Sequence, residues 1–313
     1  MAVDDRKART FSQITGQDRQ TLTAAYLHVL IGESLLDTRK TAGSPAAHGA
    51  LTWPFQAWQR KGEKVVHGGH LWSALEQPQA NGPARFPGWF PDAYETFAKK
   101  LLDQERAHPC YFGVQGQQRG NNWFTLFDSS FPEEHGVHAL ADSLVAFREQ
   151  ARRGPKRQTL IVFAGPPEPH AELADHQAAF WTLLRDLSAV DTDPWPEGYP
   201  TDTASPAWQW CFAGEPWFTF MASPGYHHRD SRNLGPCLTL VFQTRRVFDG
   251  LSGSTVAGQA AKRRIRAALE HYDTVPPHPY LGDPMYSSVH KWRQYALPDD
   301  QSVGEPEKCP FAG

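Results

Sequence analysis

Hydrophobic positions along this chain follow two patterns, a three- to four-residue recurrence and short unbroken runs. Val137, Leu140, Leu144 and Phe147 recur at helical intervals, which predicts an amphipathic helix reaching about residue 152. Leu173, Phe180, Leu184 and Leu187 form a second stripe of the same kind. Asp92 follows Pro91 in the position of an N-cap, and a helical pattern runs from there to residue 107. Residues 23–36 also have helical character. Residues 254–272 predict a basic helix whose buried stripe is supplied by Ile265 and Leu269.

The unbroken runs predict strands. Thr-Leu-Ile-Val-Phe at 159–163 has no polar alternation, as expected of a central strand covered on both faces. Runs at 110–114 and 123–127 are separated by Gly116, Gly120, Asn121 and Asn122, which predicts a hairpin. Further strand runs occupy 208–213, 216–222 and 237–243. This order of elements predicts an α+β fold, with a single mixed, largely antiparallel sheet flanked by helices and long proline-rich loops. Residues 1–90 read as an N-terminal helix and irregular extension, and residues 91–313 as the α+β domain. Within the extension, residues 40–90 are rich in Gly, Pro, Trp and His, a long irregular excursion of the sort that is functional or partly disordered.

A chain of 313 residues buries a real core, and 40 % hydrophobic with 21 % charged residues is the balance of a soluble globular protein. A formal net charge of −3 gives no electrostatic case for nucleic acid or an anionic membrane. No apolar run approaches the roughly 20 residues that span a bilayer. Cys110, Cys211, Cys237 and Cys309 show no metal-binding spacing, and the N-terminus has no secretory apolar region, so a reducing, cytoplasmic setting is expected. The absence of GxGxxG and GxxxxGK[ST] argues against a nucleotide phosphate cradle.

Candidate chemistry concentrates between the late strands. His227, His228, Arg229 and Arg232 share one connecting loop, and the strand run that follows ends at Arg245 and Arg246. Neighbouring side chains of extended backbone point to opposite faces, so only one of the two imidazoles turns inward. A single inward imidazole meets the axial requirement of haem, whereas zinc needs three or four ligands. Arg229, Arg232 and Arg245 have the planar fork that binds carboxylates such as haem propionates. The simpler alternative is a hairpin loop carrying solvated charges. The pair His67 and His70 lacks a third ligand at a familiar spacing. His108 and Cys110 form a possible base and nucleophile, with no evident orienting acid. For a cationic substrate, Glu215, Asp128 and Asp230 are the acidic candidates, with Glu215 preferred for its position near Trp217. Trp208, Trp210 and Trp217 offer aromatic faces, and a turn carboxylate in water is the plain alternative for Glu215.

Several segments carry a resemblance when taken in order. They are Pro-Cys-Tyr-Phe-Gly at 109–113, Trp-Gln-Trp-Cys-Phe-Ala-Gly-Glu-Pro-Trp-Phe at 208–218 and Arg-Asp-Ser-Arg-Asn-Leu-Gly at 229–235. Gln-Thr-Arg-Arg-Val-Phe-Asp-Gly at 243–250, Trp-Arg-Gln-Tyr at 292–295 and Cys-Pro-Phe at 309–311 complete the series. Over residues 90 to 311 the chain resembles the YqcI/YcgG-like proteins. That resemblance implies a haem-dependent enzyme that uses dioxygen to hydroxylate nitrogen, on substrates that include the guanidine of free arginine, in specialised metabolism. It implies haem b with His227 or His228 as the iron ligand, and Arg229, Arg232, Arg245 and Trp210 around the cofactor. Glu215 and Asp230 become the expected catalytic acids. The implied partners are a small amine or guanidine substrate and a reductase or ferredoxin-type electron donor. Two alternatives remain open at this point: a haem-binding sensor or carrier without turnover, and a metal-free protein whose His-Arg loop binds an anionic metabolite.

Overall fold

The computed structural model describes residues 71–73, 86–251, 255–281, 290–303 and 308–312. The helix expected at 23–36 and the His67/His70 pair lie outside them. The unbroken apolar run becomes β3 (Thr159–Gly165), and its place in the sheet explains its composition. It lies between β2 (Asn122–Asp128), to which it is parallel, and β6 (Leu238–Thr244), to which it is antiparallel. β5 (Glu215–Ala222) pairs antiparallel with β6, while two short edge strands, β1 (Trp72–Ser73) and β4 (Cys211–Phe212), close the order β1-β2-β3-β6-β5-β4. The β2/β3 pair is the parallel one, so the sheet is mixed and largely antiparallel, as expected. The fold is α+β.

Alternation along β3 divides the interior into two layers. Leu160 and Val162 face one side, where α4 (Val137–Arg153) and α5 (Leu173–Val190) lay down Leu140, Leu144, Phe147, Phe180 and Leu184. Those are the two stripes read from periodicity. Ile161 and Phe163 face the other side, where α1 (Phe90–Leu102) packs Phe90, Phe97 and Leu101 against them. Phe163 sits within ring contact of Phe90, Phe97 and Phe124. On this second side α6 (Val256–Tyr272) buries Leu269 but leaves Ile265 only half-buried.

Two local expectations are corrected. Residues 110–114 are not a strand: they open α2 (Tyr111–Arg119), with the Val114 amide donating to the Cys110 carbonyl at 3.0 Å. Gly120 does reverse the chain, but as the left-handed C-cap of that helix (φ 70°), its amide reaching the Gly116 carbonyl. Gly116 cannot carry a side chain here, because a Cβ would stand 2.1 Å from Asn122 Oδ1 where α2 folds onto β2. The other correction is at α1, which begins with Trp89 as N-cap, so Pro91 falls inside the first turn, where its missing N–H costs nothing. A short helix, α3 (Pro132–His135), precedes α4.

The layer under α4 and α5 is closed by tryptophans. Trp217 is fully buried between Phe147 and Phe242, and its indole N–H donates to the Phe212 carbonyl at 2.9 Å. Trp217→Ala leaves a large void and is expected to cost about 3–5 kcal/mol. Urea denaturation checks this: the midpoint should fall with the slope unchanged.

Candidate functional site

The connection from β5 to β6, residues 223–237, is shaped by a carboxylate far away in sequence. Asp299 accepts the backbone amides of His227, His228 and Arg229 at 2.9–3.1 Å. Tyr226 is buried beneath them, its hydroxyl donating to the Leu297 carbonyl at 2.7 Å. With their amides turned to Asp299, both imidazoles project outward. His227 and His228 are exposed, and His228 Nδ1 lies 3.2 Å from Thr274 Oγ1. Neither borders the cavity described below.

The two arginines of the loop turn the other way. Arg229 is 1 % exposed, and its guanidinium donates to the carbonyls of Pro298, Pro276 and Asp300 at 2.8, 3.1 and 2.5 Å. Arg232 is 9 % exposed and donates to the Met221 and Gln294 carbonyls at 3.1 and 3.2 Å, with Phe220 4.4 Å beneath its guanidinium.

Arg229 and Arg232 border a cavity of about 180 Å³, partly open to solvent, on the α1 side of the sheet. Its floor is sheet: Thr159 and Ile161 of β3, Val241 and Gln243 of β6, and Phe220 of β5. Gln243 Nε2 donates to Thr159 Oγ1 at 2.9 Å across that floor. Phe97 and Leu101 of α1 and Ile265 and Leu269 of α6 form the walls. Leu297 and the stretch from Arg229 to Leu234 close the rim. The apolar lining with a few convergent polar groups is the usual make-up of a small-molecule pocket.

His108, Cys110 and Asp273 are the titratable groups that give this cavity its chemistry, beside the arginines. His108 Nδ1 accepts the Cys110 amide at 3.2 Å, and the ring stands edge-on to Tyr272. Its Nε2 is buried, near the Ser231 main chain, but has no hydrogen-bond partner of acceptable geometry. Since Nδ1 is the acceptor, the neutral ring carries its proton on Nε2 and offers a donor. Burial pushes the imidazole down to about 4. Burial likewise pushes the Cys110 thiol up, keeping it protonated. Because His108 meets the Cys110 amide and not its sulfur, these two residues do not form an activated thiol pair.

Asp273 is the carboxylate of the cavity lining. It accepts the Ser231 amide and the Ser231 hydroxyl, both at 2.8 Å, and burial raises its pKa above the usual carboxylate value. The acids expected from sequence stand elsewhere. Glu215 pairs with Arg152 at the start of β5, and Asp230 pairs with Arg106 at 2.5 Å on the outer side of the loop. Asp128 is buried at the end of β2, accepting the Trp89 indole N–H at 2.9 Å. Trp210 lies in the opposite layer, donating to Ser188 Oγ at 3.0 Å, with its ring stacked on Phe212. Arg245 is exposed, its guanidinium 5.0 Å from the Phe248 ring. Of the residues singled out around the cofactor, then, Arg229 and Arg232 reach the cavity. Asp273 was invisible in the sequence because it reads as the end of a basic helix. His108 was visible, but only as a partner of the thiol.

The buried imidazole makes folding pH-dependent. In the unfolded chain its proton is taken up near 6.5, in the folded chain near 4, so the folded state excludes a proton between those values. The contribution is complete above pH 6.5 and lost as pH falls from 6.5 to 4, by about 3 kcal/mol at most. His108→Asn removes the titration. Stability curves of wild type and variant should run parallel above pH 6.5 and converge or cross below it, and urea melts at stepped pH read this directly. Curves parallel down to pH 4 would show that burial does not hold the ring neutral.

The sequence profile of the YqcI/YcgG family matches residues 97–312, a span that contains every wall of the cavity named above. YcgG of Bacillus subtilis (strain 168) is 35 % identical over 251 residues, covering 79 % of this chain and 96 % of that protein. YqcI of the same organism is 34 % identical over 229 residues, covering 72 % and 88 %. A Streptomyces lavendulae relative named "Putative N(omega)-hydroxy-L-arginine synthase DcsA" is 32 % identical over 227 residues, covering 72 % and 84 %. No solved structure matches at a significant level. With a profile match over most of its length and relatives of this similarity aligned nearly end to end, the chain belongs to the YqcI/YcgG family.

Proposed function

We propose that this protein is a haem-dependent N-oxygenase that hydroxylates a nitrogen of a small amine or guanidine substrate of the arginine kind. The observation that carries this reading is the cavity. It combines apolar walls, a buried imidazole with an unpartnered ring nitrogen, and a buried guanidinium. The name of DcsA supports it from a second direction, since it states formation of N(omega)-hydroxy-L-arginine. Haem asks for an axial nitrogen or sulfur, an apolar slot and cations for its propionates, and the lining residues suit it in kind. When bound, haem supplies the activation of dioxygen, with electrons from an external reductase or ferredoxin-type donor.

The chain's own residues would then do the following. His108 would hold the haem iron in this proposal, in place of the exposed His227 and His228. Binding through Nε2 requires the ring proton on Nδ1, so the 3.2 Å bond from the Cys110 amide is given up, a loss of about 1 kcal/mol. Cys110 is the competing ligand on the same wall, and its use requires releasing a proton that burial retains. Asp273 is the group to receive a cationic nitrogen, with Ser231 fixing both carboxylate oxygens in place. The sheet floor and the helices α1 and α6 keep water from the reacting nitrogen.

Expression with a haem precursor should give a Soret band, and incubation with L-arginine, a reductant system and dioxygen should give a product heavier by one oxygen. His108→Ala should lose most of the pigment, while the double variant His227→Ala/His228→Ala should keep it. Loss of pigment in Cys110→Ala but not in His108→Ala would transfer the iron to sulfur. No Soret band even after adding hemin would end the haem reading. Pigment without any oxygenated product from a panel of amines and guanidines would make the protein a haem sensor or carrier.

A further inference from the structure

We infer that Arg232 is the receptor for a carboxylate that the cavity's ligand brings with it. This deepens the functional proposal by naming a group the ligand must carry, but the argument rests on the arginine and not on haem.

The two loop arginines are both buried, yet they are satisfied differently. Arg229 meets three backbone carbonyls, one through Nε and one through each terminal nitrogen, which ties the loop to residues 276, 298 and 300. Arg232 meets two, through Nη1 and Nη2. A guanidinium has five N–H donors, so subtracting these two leaves three without a partner among the described residues. No carboxylate forms an ion pair with it there, and Asp273, the acid of the cavity, is engaged by Ser231. The Phe220 ring beneath the guanidinium favours a cation but cannot neutralise it.

Burying a charge without a counter-charge is costly, and native proteins pair such groups. Among the described residues Arg232 has no paired anion, Asp273 acting on it through space without forming an ion pair. Its position narrows what the anion is. Arg232 lines the cavity beside Phe220, on which its guanidinium rests. The planar fork of a guanidinium suits the two oxygens of a carboxylate. The opposite charge sits at Asp273. One positive and one negative group in a single cavity match a ligand with a carboxylate at one end and a cationic nitrogen at the other. The carboxylate has two possible sources, the α-carboxylate of an amino acid or a propionate of haem, and these can be told apart.

Two titrations on the full chain do so. In the first, calorimetry compares L-arginine with L-argininamide on the haem-loaded protein and on the protein as purified without haem. In the second, absorption titration compares hemin with hemin dimethyl ester. In the arm that supplies the carboxylate, the acid should bind about tenfold tighter than its blocked form, and Arg232→Gln should erase the difference. Arg232→Lys keeps the charge but loses the fork, and should retain part of it. Circular dichroism confirms that the variants fold. Should neither fold, the wild-type comparison alone still decides. Equal affinity of acid and blocked form in both arms, or no binding in either, overturns the inference. Discrimination between arginine and its amide by a protein that takes up no haem would sustain this inference while removing the haem proposal.

Discussion

The pairing of β3 with β6 in the middle of the sheet is the constraint on which the rest depends. Because both strands are covered on both faces, their alternate side chains must serve two different neighbours. Leu160, Val162, Leu240 and Phe242 go to the layer of α4 and α5. Ile161 and Val241, in register with each other, become the cavity floor. The first layer is packed with aromatic and aliphatic side chains. The second is filled by α1 at one end only, and α6 stands over the remainder as a wall without closing it. Thr159 and Gln243 bond to each other within this unfilled part.

Around that floor the polar groups are sorted by what satisfies them. Arg229, Asp299 and Tyr226 spend their hydrogen-bonding capacity on backbone and so act as structure. Arg106 and Asp230 neutralise each other at the surface, as do Arg152 and Glu215. Arg232 and His108 are left with unused donors facing a cavity. A charged residue type in a suggestive segment says little by itself. The distinction between a spent and an unspent donor separates scaffold from site here.

That distinction also explains how much could be read from sequence. The stripes of α4 and α5 and the run of β3 were legible, because periodicity reports local burial and each element buries its own apolar face. The segment at 110–114 was not, since its β-like composition was overruled by packing: Gly116 lets α2 lie on Asn122, and Gly120 supplies the left-handed cap. The candidate site was half legible. Arginines 229 and 232 were found from the loop's composition, and the loop is indeed where the fold brings them to the cavity. The adjacent histidines look equally suggestive, but Asp299, some seventy residues away, takes their amides and turns the rings to solvent. Contacts made at that separation leave no trace in local spacing. Asp273 and His108 come together from opposite ends of the domain, around the Ser231 main chain and the Tyr272 ring, for the same reason.

The Asp299 clamp also has a bearing on the order of events as the protein is made. Leu297 is part of the rim, and its neighbours Pro298, Asp299 and Asp300 are the groups that hold Arg229 and the loop in position. The floor strands emerge from the ribosome before these residues do, and a nascent chain that stops short of them lacks the groups that hold the loop in place. Any small molecule that must be enclosed here is therefore received by a nearly completed polypeptide. Termination after β6 but before residue 297 would leave every strand present and the loop without its Pro298 and Asp299 anchors.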